Sequence, residues 1–534
     1  VSTIDEYRAA IAPLPDSYTA WEIYGAGFEN VGKDGNPATL PVREPADNEV
    51  LLRVDALGLC LSDIKIINQG SEHARLRGRD LATEPTVLGH ECAATVVKVG
   101  KDWAGKFSPG DRFIVQADIY YKGLGYAFGY LIPGGLAEYA YVDERVLDGD
   151  EGCYLLPVQD ATGYSQSALS EPWACVEMSY CLEDRLTLSG GEVLVVTDGD
   201  LPDTYEGSTH VPANLDGLPD DATYDDIIVF NPSAELVETL AKRLNKDGVM
   251  FLLGHAAGEG VASLDIGRIH YEGLRFYGGG ADLDAIAEAN KRNDLLPGGS
   301  SLFIGAGGPM GQMHVQRALE VENGPSLVVV TDLDRGRMDH IQTRFGGLAE
   351  QNGRKLITLT PGEFESQEAM DAHIGSLSDH SYDDICILAP VAGLATHAVS
   401  IAADNALINV FAGVLIGSEA PISVEDLCRG IKIIGSSGSR ISDLRKVLHL
   451  VEADKLNTNL SVAAIGGMNV AHEGLEGLRD ARFPGKTVIY TQIPELPLMA
   501  VEEIPDMIPE LADKLGPGPS WTIEAETALL ELYA

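Results

Sequence analysis

One segment pattern recurs within this chain at a nearly constant spacing, and that repetition limits the fold more than any other feature. Tyr224-Asp225-Asp226-Ile227 returns 158 residues later as Tyr382-Asp383-Asp384-Ile385. Asp247, opening DGVMFLLG, matches Asp404, opening DNALINVFAG, and GLRFYG at 273–278 matches GIKIIG at 430–435, both 157 residues on. A constant offset across three apolar segments is the mark of a duplicated supersecondary unit, against the alternative that two α/β segments resemble each other by chance. From about Gly190 onward, apolar strands alternate with helix-period patterns, which predicts a parallel α/β sheet. The upstream ends break the offset. Gly190-Gly191 before EVLVV pairs with Gly298-Gly299 before SLFIG at a spacing of only 108, so the first copy is shorter just after its first strand.

That gap falls where a dinucleotide-binding fold keeps its glycine turn, first helix and second strand. The first copy has acidic TDGDLPDTYEG (197–207) there, without glycine spacing, so it is expected to be a scaffold. The second copy opens with SLFIGAGGPMGQMHVQRALE, an apolar strand running into Gly305, Gly307, Gly308, Pro309, Met310 and Gly311 and then a helix pattern. Glycines let the backbone approach a pyrophosphate, and the following helix N-terminus offers free N–H groups to it. The spacing is G-x-G-G-x-x-G, one residue longer than usual; its place between strand and helix gives it weight. Asp332 ends the next strand, where an acid accepts from ribose hydroxyls and repels a 2′-phosphate, favouring NAD over NADP. The alternative is that Asp332 or Asp334 caps the next helix. Arg335 and Arg337 nearby soften the preference.

Residues 45–150 read as β-rich, with EVLLRVDALGL, AATVVKVG, DRFIVQA and LAEYAYV separated by turns such as SPGD at 108–111 and PGG at 133–135. The chain has 534 residues and a formal net charge of −43, spread along its length. Such a surface repels phosphate backbones and anionic lipid, so no nucleic-acid or membrane partner is expected. Seven cysteines without a C-x-x-C pair make no disulfide framework in so long a chain, and a reducing cytoplasm is expected. The first residues lack a signal-peptide pattern, and the apolar run at 407–416 is too short to span a bilayer.

Three short stretches carry candidate metal chemistry: Gly58-Leu59-Cys60-Leu61-Ser62-Asp63, Gly89-His90-Glu91 and Ser170-Glu171-Pro172-Trp173. Singly, Cys60 reads as a small buried hydrophobe, His90 as a core histidine, and Glu171-Pro172 as the start of a helix. Together, one thiol, one imidazole and carboxylates suit a tetrahedral zinc site that keeps an open position.

The order Cys-x-x-Asp, Gly-His-Glu, Pro-Gly-Asp-Arg (109–112), Glu-Pro and a glycine-rich turn resembles the zinc-containing medium-chain dehydrogenase/reductase (alcohol dehydrogenase) superfamily, in its polyol branch of sorbitol dehydrogenases and sorbose-1-phosphate reductases. The resemblance spans most of 45–180 and 300–490. It implies an α/β protein with a β-rich GroES-like catalytic domain and a doubly wound Rossmann domain, here with a duplicated, partly degenerate half. It implies Cys60, His90 and Glu91 as zinc ligands, and Glu171 as a fourth ligand or the holder of a water on the metal. It makes Ser62 the proton relay and Asp63 the group orienting His90. The activity implied is hydride transfer between NAD(H) and a secondary alcohol or ketone of a polyol, sugar or sugar phosphate. Two departures stand out: Ala93-Ala94 replaces a glycine after Gly-His-Glu, and residues 116–135 hold no cysteine, so one catalytic zinc and no structural zinc is expected. That Tyr/Gly-rich stretch reads as a substrate wall, a subunit contact or a packed surface loop.

The expected division is a catalytic domain at 1–185 completed by 466–534, a degenerate half-copy at 186–297 and a dinucleotide-binding domain at 298–465. GKTVIY at 485–490 resembles the strand that closes the catalytic domain, and the acidic, Pro-punctuated tail beyond 493 is expected to wrap the surface or mediate assembly into a homodimer or homotetramer. Two other readings stay open. One is a metal-free quinone or enoyl-type reductase of the same fold; the other is a non-catalytic NAD-binding scaffold.

Overall fold

The short β-branched runs of the N-terminal third assemble into one sheet. Its most central member, Val50–Gly58, is buried at every residue, and its two charged members, Arg53 and Asp55, pair with each other at 2.8 Å. Antiparallel partners flank it: Glu91–Val99 on one edge, then Arg112–Val115 and Leu155–Pro157, with Tyr139–Val142 also pairing to it. On its other side lies Lys486–Tyr490, with Val488 opposite Gly58, followed by Val462–Gly467. The chain thus returns to its first sheet after an excursion of several hundred residues. The computed structural model describes residues 3–10, 12–200, 205, 207–254, 260–379 and 381–533. The acidic replacement for the first copy's glycine turn lies partly outside them, at 201–204 and 206.

Two units result: Val1–Glu177 with Gly438–Ala534, and Met178–Ser437. The exits fall at 177 and 438, where 185 and 466 were expected. The return comes early because the segment after Gly438 is tied to the first unit. Asn459 Oδ1 accepts from Ser165 Oγ at 2.8 Å, Ser461 Oγ accepts from Trp173 Nε1 at 3.2 Å, and Ile441 packs on that unit's core. The tail does more than wrap the surface. Ile493, Leu496, Ile504, Ile508, Leu511, Trp521 and Leu529 are all buried in one cluster with Val488 and Tyr490. The prolines and acids there punctuate an apolar spacing that is buried against the sheet.

In the second unit, apolar strands and intervening helices build two parallel sheets. One runs Thr209–Val211, Val193–Val196, Tyr224–Phe230, Leu244–Leu253, Arg275–Gly280. The other runs Lys355–Leu359, Leu327–Thr331, Ser300–Ile304, Tyr382–Ile387, Ala402–Val410, Lys432–Gly435. In the second sheet the strand order turns about Ser300–Ile304, which neighbours both its successor Leu327–Thr331 and the later Tyr382–Ile387. This switch point lies at the end of the strand that leads into the glycine turn. The two sheets share one core that includes Leu194, Ile227, Phe276, Leu302, Ile385 and Ile433. Among the described residues, no helix is long and apolar enough to cross a membrane.

Candidate metal centre and cofactor cradle

The metal centre lies within the first unit, and local sequence places each of its parts. Cys60 ends the extended run from Val50–Gly58 and is the N-cap of the helix Leu61–Gln69. Asp63, at the third helical position, accepts from the Cys60 amide through Oδ2 at 3.0 Å, the return half of a capping box. Its other oxygen accepts from the Gly89 amide at 3.2 Å and lies 3.5 Å from His90 Nδ1. One buried carboxylate therefore ties together the two segments that carry Cys60 and His90. Glu91 opens the strand Glu91–Val99 directly opposite Gly58, and a Cβ on residue 58 would overlap its carboxylate, so only glycine leaves room for it.

The structure brings together ligand atoms of Cys60, His90 and Glu91, all within 4.8 Å of one another. Ser62 Oγ is 3.6 Å from Cys60 Sγ, half-buried on the first helical turn. Glu171 stands outside this trio, though its carboxyl still feels the charges of His90, Glu91 and Lys486. It does not begin a helix. Tyr164–Ser179 is already under way, and Pro172 sits inside it, where the missing N–H is tolerated because packing sustains the helix. Burial pushes the Glu171 carboxyl up to about 7; His90 and Lys486 pull it down and Glu91 raises it further. Burial lowers the His90 imidazole, but the adjacent Cys60 sulfur and Asp63 carboxylate outweigh it and hold its pKa well above the ordinary value.

The donor set fits a divalent cation. Glu91 Oε2 is buried without a hydrogen-bond partner, a costly state for a carboxylate oxygen unless an ion satisfies it, while Asp63 faces His90 Nδ1 and leaves the other ring nitrogen for a metal. Three acids and a thiol crowd a space whose buried counter-charges are His90 and Lys486.

Lys486 escaped the sequence reading. Its ammonium pairs with Glu91 Oε1 and donates to Leu59 O at 3.3 Å, fully buried at the head of the closing strand. A lysine opening an otherwise apolar, buried strand was the available signal. Tyr130 was missed too: its ring is 6.0 Å from that of His90 and 5.6 Å from that of His73. The Tyr/Gly stretch thus reaches the centre with its inner half, while Tyr120 and Leu124 stay exposed. Its glycines have a reason. A Cβ at Gly134 would overlap the Gly89 carbonyl, and one at Gly129 would meet the same atom at 3.0 Å, so this loop lies directly on the backbone that presents His90.

The cradle lies within the second unit. Gly305, with φ +75°, makes the turn after Ser300–Ile304, and a Cβ there would fall 2.8 Å from that of Ala389. At Gly311 a side chain would meet the Ala306 backbone at 2.5 Å, so the helix Pro309–Glu320 seats against the turn only with glycine. Gly308 is its N-cap and Pro309 its first residue; Met310 follows in the first turn. Asp332 is not the cap of the following helix. That is Asp334, which accepts from Arg337 N at 3.1 Å, whereas Asp332 Oδ2 accepts from Gly307 N at 2.8 Å. The acid is therefore held over the glycine turn. Leu333 and Val391 are exposed large apolar side chains beside it in sequence and two residues beyond Ala389, respectively.

The family profile described as alcohol dehydrogenase GroES-like domain matches residues 46–148, the span that holds Cys60, Ser62, Asp63, His90 and Glu91. L-sorbose 1-phosphate reductase of Klebsiella pneumoniae is 27% identical over 497 residues, covering 92% of this chain and 93% of that protein. The chain is thus similar over most of its length to proteins of the medium-chain dehydrogenase/reductase superfamily, with its GroES-like domain at 46–148. A sorbitol dehydrogenase of Bombyx mori is 36% identical over 103 residues, 19% of this chain and 26% of that one. The fold matches 2R,3R-butanediol dehydrogenase from Bacillus subtilis with a TM-score of 0.54 at 16% identity, covering 89% of this chain and all of that one. These relatives place the chain among oxidoreductases that act on alcohols.

Proposed function

We propose that this chain is a zinc-dependent oxidoreductase that interconverts a secondary alcohol and a ketone on a polyol, sugar or sugar phosphate with NAD(H). The convergence of Cys60, His90 and Glu91, with the buried Glu91 Oε2 left unpartnered, carries this reading. Cys60, His90 and Glu91 would hold the ion, and Glu171 would reach it as a fourth donor or through a water. Zinc supplies Lewis acidity toward an alcohol oxygen, and the nicotinamide supplies the hydride acceptor.

The chain's own residues do the rest. Asp63 fixes the two ligand-bearing segments through the Cys60 and Gly89 amides. Lys486 offsets the Glu91 charge. Ser62, half-buried beside the cluster, hands the alcohol proton toward solvent. The glycines from Gly305 to Gly311, with Pro309 and Met310 opening the helix, cradle the pyrophosphate. Asp332, already oriented by the Gly307 amide, accepts from the adenosine ribose hydroxyls, with Leu333 and Val391 as apolar neighbours for the adenine.

A metal assay followed by a panel of polyols, sugars and their phosphates, monitored at the NADH absorbance, tests the reading. The expected result is turnover on at least one class of secondary alcohol that chelation abolishes and zinc restores. Turnover that survives complete removal of metal would overturn it in favour of a metal-free reductase. Asp332→Ser tests the cofactor choice separately. A hydrogen bond to a charged group is worth about 1.5–3 kcal/mol, so NAD⁺ affinity by calorimetry should fall about 10–100-fold while NADP⁺ affinity falls less. Unchanged NAD⁺ affinity would remove Asp332 from the cofactor site.

A further inference from the structure

The two sheets of the second unit meet in a reciprocal way. The strands Val261–Asp265 and Glu419–Ser423 pair antiparallel, with Val261 opposite Ser423, Ser263 opposite Pro421 and Asp265 opposite Glu419. On the 158-residue spacing, Ser263 and Pro421 are equivalent positions, and they face each other. Val261 and Asp265 are equivalent to Glu419 and Ser423, so the two outer pairs exchange places under the same operation. Such a register requires a two-fold axis through the central pair. Asp265 and Ser423 then cap the equivalent helices Ile266–Tyr271 and Val424–Cys428.

The packing repeats the operation. A Cβ at Gly278 would overlap the Leu427 carbonyl and come within 2.9 Å of Cys428 Cα, while one at Gly435 would fall 2.7 Å from His270 Cα. Gly435 is equivalent to Gly278 and Leu427 to His270, each 157 residues on, so the contact of one copy on the other is returned. Arg275 and Lys432 are also equivalent, and both bind Asp184, at 3.2 and 2.5 Å. At the foot of each copy one network recurs. Arg185 pairs with Asp226 and donates to the Asp225 and Asp247 carbonyls; Arg292 pairs with Asp384 and donates to the Asp383 and Asn405 carbonyls, so the structural mate of Asp247 is Asn405, 158 residues on, and not Asp404. An arrangement in which residue i meets j while the mate of j meets the mate of i is an isologous interface, the kind that joins two identical subunits.

We propose that residues 192–280 are a tethered partner for residues 300–435, a second copy of the half-sheet that lacks the cofactor turn and serves to occupy its two-fold face. Arg275–Gly280 and Lys432–Gly435 are the terminal strands of their sheets. Open strand edges recruit other chains, and here each copy covers the other's edge. The kind of partner this face accepts is therefore already present in the same chain, and any association between chains uses other surfaces. This inference is independent of the proposed chemistry.

The test is a cysteine pair at the axis, Ser263→Cys with Pro421→Cys, in the full chain. Opposed residues of an antiparallel pair have Cα atoms about 4.5–5.5 Å apart, within the range a disulfide spans. Under mild oxidation, non-reducing electrophoresis and peptide mass mapping should find the 263–421 bond inside a single chain. Its yield should be constant over a 100-fold dilution (a range of order 10² is ample against bimolecular pairing). A bond joining two chains, or thiols that stay free, would overturn the proposal. Hydrogen exchange on the unmodified chain guards against a misfolded variant. Amides of 261–265 and 419–423 should be protected at low concentration, and exchange at the rate of frayed strands would overturn the proposal equally.

Discussion

Cys60→Ser and His90→Ala should each lose zinc and turnover together. Zinc content, measured by atomic emission, should fall from about one ion per chain to near zero. Activity should drop more than about 100-fold, since weakening only the groups behind a metal ligand costs 10–100-fold. The serine variant is the sharper of the two. Residue 60 caps the helix Leu61–Gln69, and serine is a strong N-cap, so the fold should hold while the soft donor disappears. Far-UV circular dichroism and the unfolding midpoint of the metal-free protein should therefore match those of the parent. A Cys60→Ser protein that keeps both its metal and its rate would remove this residue from the centre.

Glu526→Ala should be among the most destabilising single changes outside the site. Glu526 is buried in the helix Ile523–Tyr533 and accepts from Tyr164 N at 2.6 Å, Ser165 N at 2.7 Å and Tyr490 Oη at 2.8 Å. It thereby satisfies the first amides of the helix that carries Glu171, adds a negative charge at that helix's N-terminus, and anchors the closing strand. Trp521 Nε1 donates to the same Tyr490 oxygen at 2.8 Å. Removal of the carboxylate leaves several buried donors unsatisfied at about 1–3 kcal/mol each, so a loss of at least about 3 kcal/mol is expected. Urea unfolding should show a lower midpoint for Glu526→Ala, with partial recovery in Glu526→Gln. An unchanged midpoint would mean that the tail is no part of the first unit's stability.

The two cases also show how much of the molecule was legible beforehand. Cys60, His90 and Glu91 each read as ordinary core or cap residues alone and stood out only as an ordered set through the family resemblance, whereas the glycine turn at 305–311 follows its strand in the expected way. The parallel sheets were legible from strand and helix periods. What stayed hidden depends on contacts between distant segments. No local pattern reveals that Lys486 lies against Glu91, that Glu526 caps a helix beginning at Tyr164, or that the glycines of the 116–135 loop exist to let it lie on Gly89. The domain exits were misplaced for the same reason: the helix Ile441–Glu452 looks like part of the nucleotide-binding pattern, and only its partners assign it elsewhere. The alternative that Glu171-Pro172 begins a helix fails because a buried helix already under way absorbs Pro172.

The pairing of Val50–Gly58 with Lys486–Tyr490 bears on the order in which the ribosome delivers this protein. The sheet that frames Cys60 and Glu91 lacks one neighbour until residues 486–490 have been synthesised, and the amides at the head of the Glu171 helix wait longer still for Glu526. Met178–Ser437 is continuous and can mature as soon as it emerges. The early strand Val50–Gly58 thus finishes folding late, and loss of the helix Ile523–Tyr533 would leave the metal centre unfinished while the nucleotide cradle is already formed.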